Sequence, residues 1–177
     1  YNKFLELQKN LSSRLIPLTE NLNKIRYLKD NSEIDFIKNS IEIATKSFND
    51  IKNLIEEKIT ELELKRELEY SMVKNGAIKP SFDSITVFGT KTSLPHATAG
   101  GRKLEKESLV LIDYGALSNS YASDETITLY YGNNTPKKII EIYDLVQKAH
   151  DEAIKQIKPG MKACDADLIA RRIIASG

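Results

Sequence analysis

Asp113 and Asp124 are the residues whose type and spacing most readily suggest chemistry. Between Leu109 and Leu129 the chain reads as a β-hairpin. Val110, Leu111 and Ile112 form a short apolar run, and Thr126 to Leu129 form a second β-prone run. Gly115, Ser118, Asn119 and Ser120 lie between them and are turn residues. With Ser118-Asn119 as a two-residue loop, Asp113 is predicted to pair directly with Asp124. Directly opposed residues share a face, with Cβ atoms roughly 5 Å apart. Two carboxylates so placed repel each other. A divalent cation between them reverses the sign, since hard oxygen ligands need a positive centre. In another register they are simply two exposed strand aspartates, and spacing alone leaves both arrangements open. His96 follows Pro95 in a loop, where a lone histidine is on its own more often a surface residue than a catalytic one. His150 falls on the polar face of a helix and is assigned no role.

The elements that must position these groups follow from periodicity. From Ala77 to Gly132 the pattern is β, with Ile85 to Phe88 a strand ending at Gly89 and Ala99-Gly100-Gly101 a turn. That turn is no phosphate loop, because neither a Lys-Ser/Thr sequel nor an immediate helix follows it. Upstream, Ile34, Ile37, Ile41, Ala44, Phe48, Ile51 and Ile55 alternate spacings of three and four. They predict one helix of about six turns with an apolar stripe, its start signalled by Ser32 and Asp35. A capping box at Thr60 to Glu63 opens a second helix with the apolar face Leu64, Leu68 and Met72, closed by Gly76. Phe4, Leu7, Leu11 and Leu15 predict an earlier helix near Tyr1, interrupted at Pro17 and resumed by Leu18, Leu22 and Ile25. After the hairpin, Thr135-Pro136 opens a helix carrying Ile139, Ile142, Val146, Ala149 and Ala153, and Lys158-Pro159-Gly160 ends it. Asp165 to Ala175 is a last amphipathic segment.

Asp113-Tyr-Gly-Ala followed by Tyr121-Ala-Ser-Asp124-Glu-Thr126-Ile-Thr128 resembles the first metal-binding segment of the aminopeptidase P, prolidase and methionine aminopeptidase family. Ser81-Phe82-Asp83-Ser84-Ile85 and Leu94-Pro95-His96-Ala97 resemble two further family segments, in the expected order. The match runs from about Ile25 to the last residue and favours the Xaa-Pro branch. The resemblance implies an α+β, pita-bread fold with long helices covering an antiparallel sheet. It implies two divalent metals (Mn, Co or Zn), with Asp113 and Asp124 among their ligands. The implied substrate is a peptide with proline at its second position, hydrolysed before the proline by a water acidified between two cations. His96 is then expected to contact substrate and help stabilise charge on the tetrahedral intermediate. Ile127 stands where these enzymes usually carry an arginine. That arginine is no ligand, so the departure bears on substrate handling rather than on metal binding. Residues 1–30 are expected to end a preceding domain or linker helix. Residues 31–177 are expected to form the N-terminal half of the catalytic domain, ending before the later His and Glu ligands, so metal binding and activity in this span by itself are expected to be weak or absent.

Composition narrows the alternatives. The 177 residues carry a net charge of +1, which gives no electrostatic case for a nucleic acid or an anionic membrane partner. Cys164 is the only cysteine, so an intrachain disulfide framework is excluded and a reducing, cytoplasmic setting is expected. No run approaches the ~20 apolar residues that span a bilayer. Two other functions share the resembled fold: non-catalytic peptide or histone binding, and metal-free C–N hydrolysis of creatinase type. The aspartate pair argues against both. An internal pseudo-two-fold in the family also makes a symmetric homodimer an expected possibility.

Overall fold

The computed structural model describes residues 2–13, 15 and 19–177. The expectations for Tyr1, Pro17 and Leu18, and for the side chain of Leu22, lie outside what is described. Two short helices, α1 (Asn2–Asn10) and α2 (Thr19–Tyr27), precede the body of the fold. There α3 (Asn31–Ile51) and α4 (Glu61–Lys74) pack on each other and on the sheets. Strand β2 (Ile85–Phe88), β3 (Ser108–Tyr114) and β6 (Glu125–Tyr131) form one antiparallel sheet in the order β2-β3-β6. A smaller sheet contains β1 (Lys79–Pro80), β4 (Ala116–Ser118) and β5 (Tyr121–Ala122), in the order β1-β4-β5. Helices α5 (Lys137–Gln156) and α6 (Ala163–Ala175) pack on one another at the end of the chain.

Local chemistry accounts for much of this. The Thr60 hydroxyl accepts from Glu63 N at 3.1 Å, and the Glu63 carboxylate accepts from Thr60 N at 2.8 Å, the reciprocal box expected at this helix start. Leu64, Leu68 and Met72 on its inner face are fully buried. They meet Phe88, Val110, Ile112 and Tyr114 from the sheet in one core. Side chains alternate along β3, so Val110, Ile112 and Tyr114 point to the helices, while Leu109, Leu111 and Asp113 point away.

The structure corrects two sequence expectations for α3. The α3 cap is Asp30, whose carboxylate accepts from Glu33 N while Glu33 reaches back to Asp30 N; Ser32 and Asp35 do not form it. The buried face of α3 is Ser40, Ile43, Ala44, Ser47 and Ile51; Ala44 and Ile51 of the predicted stripe belong to it and Phe48 and Ile55 pack against the core, while Ile34 and Ile41 are exposed. Small residues win because the helix lies close against the hairpin tip and α4. Ser40 Oγ donates to Tyr121 O at 2.8 Å, and Ser47 Oγ accepts from Asn75 Nδ2 at 3.1 Å. An isoleucine there would hold the backbones apart. At α5 the Thr135-Pro136 signal does open the helix, with Pro136 as its cap residue.

The hairpin loop is also displaced by one residue. Ser118 pairs with Tyr121, so Asn119-Ser120 is the two-residue turn, and both residues have positive φ (50° and 67°). That is the signature of a type I′ turn, whose twist matches a hairpin. Asn tolerates such a conformation, whereas serine bears a steric cost there. Ser120→Gly is therefore expected to stabilise the chain by about 0.5–1 kcal/mol. A urea titration should show a raised midpoint at unchanged slope; a lowered midpoint would contradict the turn assignment.

Candidate metal centre

The one-residue shift of the turn moves the strand register by two. Asp113 lies opposite Thr126, not Asp124. The expected direct pairing is thus corrected. The cause is the turn: sequence allowed either Ser118-Asn119 or Asn119-Ser120, and backbone twist selects the second. Because the error is an even number of residues, the faces are unchanged. Glu125 points inward, where its Oε2 accepts from Tyr114 Oη at 3.3 Å and from Thr45 Oγ1 at 3.2 Å. Its neighbours Asp124 and Thr126 consequently turn outward, and both are exposed. Asp113, half-buried, points out on the same side, so the two aspartates are diagonal rather than opposed.

Asp124 lies where the hairpin bends. The bend falls between β3 and β4 on one side and between β5 and β6 on the other, at Gly115 and at Ser123-Asp124. Ser123 holds it: its backbone N donates to Ala116 O at 2.9 Å, its hydroxyl accepts from Ala116 N at 3.0 Å, and its carbonyl accepts from Ser81 Oγ at 2.8 Å. A Cβ built on Gly115 would stand 2.0 Å from Ser123 O, so only glycine permits so close a crossing. The sequence marked Gly115 only as a turn residue; its position against Ser123 is a long-range packing fact.

Asp113 is oriented by Thr126, whose Oγ1 donates to its Oδ1 at 3.0 Å. Behind the pair, burial raises the Glu125 carboxyl above the ordinary carboxylate range, partly offset by the bonds from Thr45 and Tyr114. Burial, then the adjacent Glu125, raises the Tyr114 phenol as well. This inward Glu125–Tyr114 contact was not foreseen from the sequence, although the alternation of β6 could have shown that Glu125 faces the core.

His96 lies on the loop that follows β2 and is exposed. Ile85 pairs with Asp113, but the loop leaves from Phe88, which pairs with Val110. At about 3.3 Å per residue, it departs roughly 10 Å along the strand from Asp113. Asp113, half-buried, and Asp124, exposed, thus flank the bend of the hairpin, and His96 is on the loop that leaves the far end of β2. His150 is exposed on α5, its Nδ1 2.9 Å from Asp151 on the same helix. Among the described residues, no three His, Cys, Asp or Glu side chains gather as a metal-binding group. The carboxylate oxygens of Asp113 and Asp124 are of the donor type that suits a hard divalent ion.

Against known proteins, the model of Metallopeptidase family M24 matches residues 35–177. The chain belongs to that family. Its similarity to an Xaa-Pro dipeptidase of Pyrococcus furiosus is 40% identity over 153 residues, covering 86% of this chain and 44% of that protein. Among solved structures, an Xaa-Pro dipeptidase from Bacillus anthracis has a TM-score of 0.92 at 32% identity, covering 99% of this chain and 49% of that one. An X-Pro aminopeptidase from Thermotoga maritima reaches 0.94 at 30% identity, covering 99% and 49%. This M24 chain therefore spans about half the length of these relatives, in agreement with the expected pita-bread half-domain. Membership in a metallopeptidase family implies a divalent metal. No helix of the described residues is long and apolar enough to cross a membrane.

Proposed function

We propose that these residues are the N-terminal half of the catalytic domain of a metal-dependent Xaa-Pro peptidase, a dipeptidase or aminopeptidase that cleaves before proline. The observation that carries the reading is the pair Asp113 and Asp124 turned to one side of the bent hairpin, inside the span matched by the family. In this reading they are metal ligands, and a divalent metal supplies the Lewis acidity that prepares water to attack the scissile carbonyl. Mn²⁺ suits carboxylate oxygen, with Co²⁺ and Zn²⁺ as the other candidates. Thr126 fixes one oxygen of Asp113, which limits its rotation toward the ion. The inward contacts of Glu125 hold Asp124 outward. His96 contacts the peptide from its loop and donates to oxygen as charge develops.

Residues 1–30 belong, in the same reading, to the end of a preceding domain, and the protein works in the cytoplasm. The retained aspartates weigh against a purely peptide-binding role and against metal-free C–N hydrolysis. A groove between β6 and α5, lined by Leu109, Thr128, Ile139, Tyr143 and Val146, is an apolar face suited to the remaining half of the relatives' length or to a second copy. The test uses the full-length protein loaded with Mn²⁺ and offered Xaa-Pro and Xaa-Ala dipeptides. Cleavage confined to Xaa-Pro and abolished by a chelator is expected. Peptide binding without turnover would favour the non-catalytic role, and turnover that survives chelation would favour the C–N hydrolase.

A further inference from the structure

Glu61 reads from the sequence as an ordinary first-turn acid, yet in the fold it is wholly buried and spends its carboxylate on a distant segment. Its Oε1 accepts from Phe88 N at 3.1 Å, and its Oε2 accepts from Gly100 N at 2.9 Å and from Lys91 Nζ at 2.7 Å. Lys91 Nζ also donates to Thr98 O at 2.8 Å. The backbone adds two ties, Glu61 N to Arg102 O and Leu62 N to Gly100 O, both at 3.0 Å. Arg102 Nη1 donates to Phe88 O at 3.2 Å, closing entry to exit. One carboxylate thus clamps the start, the middle and the end of the segment from Phe88 to Arg102, and His96 sits exposed within it.

We propose that Glu61 and Lys91 are positioning residues that set where the loop presents His96, a role that rests on His96 contacting substrate. An ion pair with one partner wholly buried and the other partly exposed adds little net stability, since desolvating the carboxylate offsets much of the attraction. What it supplies is direction: charge-assisted bonds to three donors at fixed points leave the segment one arrangement. A loop held only by apolar contact has no such constraint. Around His96 the local turn bonds Leu94 N to Lys91 O and Ala97 N to Leu94 O, and Lys91 also holds Thr98 O two residues on. The location of His96 follows from that of Lys91.

Lys91→Met removes the ammonium and leaves the carboxylate its two amide donors; Lys91→Arg restores the charge. Hydrogen exchange on this chain should show residues 89–101 exchanging roughly tenfold faster or more in Lys91→Met, recovered in Lys91→Arg, with α3 unchanged. In the full-length protein, Lys91→Met should lower kcat for an Xaa-Pro dipeptide more than it alters KM, at unchanged metal content. The double variant with His96→Ala should lose no more than His96→Ala alone, because both changes act through one imidazole. Unchanged loop exchange overturns the clamp. A loosened loop with full kcat, or additive losses in the double variant, overturns the positioning role. No Xaa-Pro hydrolysis by the unsubstituted protein, together with a loosened loop in Lys91→Met, overturns the peptidase reading and leaves the clamp supported.

Discussion

Gly115→Ala should prevent stable folding of this chain, or cost more than about 4 kcal/mol, placing it among the rare severe single substitutions. The added Cβ would stand 2.0 Å from Ser123 O, 2.7 Å from Ser123 C and 2.4 Å from Ser81 Oγ. Two of these atoms are backbone and cannot rotate aside. Relief requires the strands to separate at the bend, which breaks the Ser123–Ala116 bonds and the Ser81 bond to Ser123 O. Tyr114 and Ala116 on either side are fully buried, so the displacement is carried into the core. The cause is space rather than backbone angle, since φ at Gly115 is not positive. Gly101→Ala is the control, with nothing within 4 Å of the added carbon, and should be close to neutral. Chemical denaturation of both variants checks this; wild-type stability in Gly115→Ala would mean that the bend is not as close as described.

What the sequence made legible was local. The Thr60–Glu63 box, the strand Ile85–Phe88 and the hairpin itself depend on neighbours a few residues apart, and all three are present. Serine and asparagine are both turn formers, so the choice between Ser118-Asn119 and Asn119-Ser120 was not legible, and the register moved with it. The α3 stripe misled because isoleucines mark an apolar face only where neighbours stand at ordinary distance. Here close approach added Ser40 and Ser47 to the buried face beside Ala44 and Ile51, and left Ile34 and Ile41 exposed. Glu61 was invisible as a clamp because its partners Phe88, Lys91 and Gly100 lie 27 to 39 residues further on. For Asp113 the predicted partner was wrong, Thr126 rather than Asp124, but an even slip leaves its face of the sheet unchanged.

The central claim is that these two aspartates hold the metal on which peptide cleavage depends. It is tested most directly by Asp113→Asn and Asp124→Asn in the full-length protein, each measured for bound metal and for Xaa-Pro dipeptide hydrolysis. Asparagine keeps the volume and removes the negative charge. Neither aspartate is in the buried core, so the folded state should survive both changes. The account predicts loss of tightly bound divalent metal and a fall in kcat/KM on the order of a thousandfold in each variant, with thermal unfolding of the metal-free proteins unchanged. Either variant keeping full metal content and wild-type kcat/KM would contradict it.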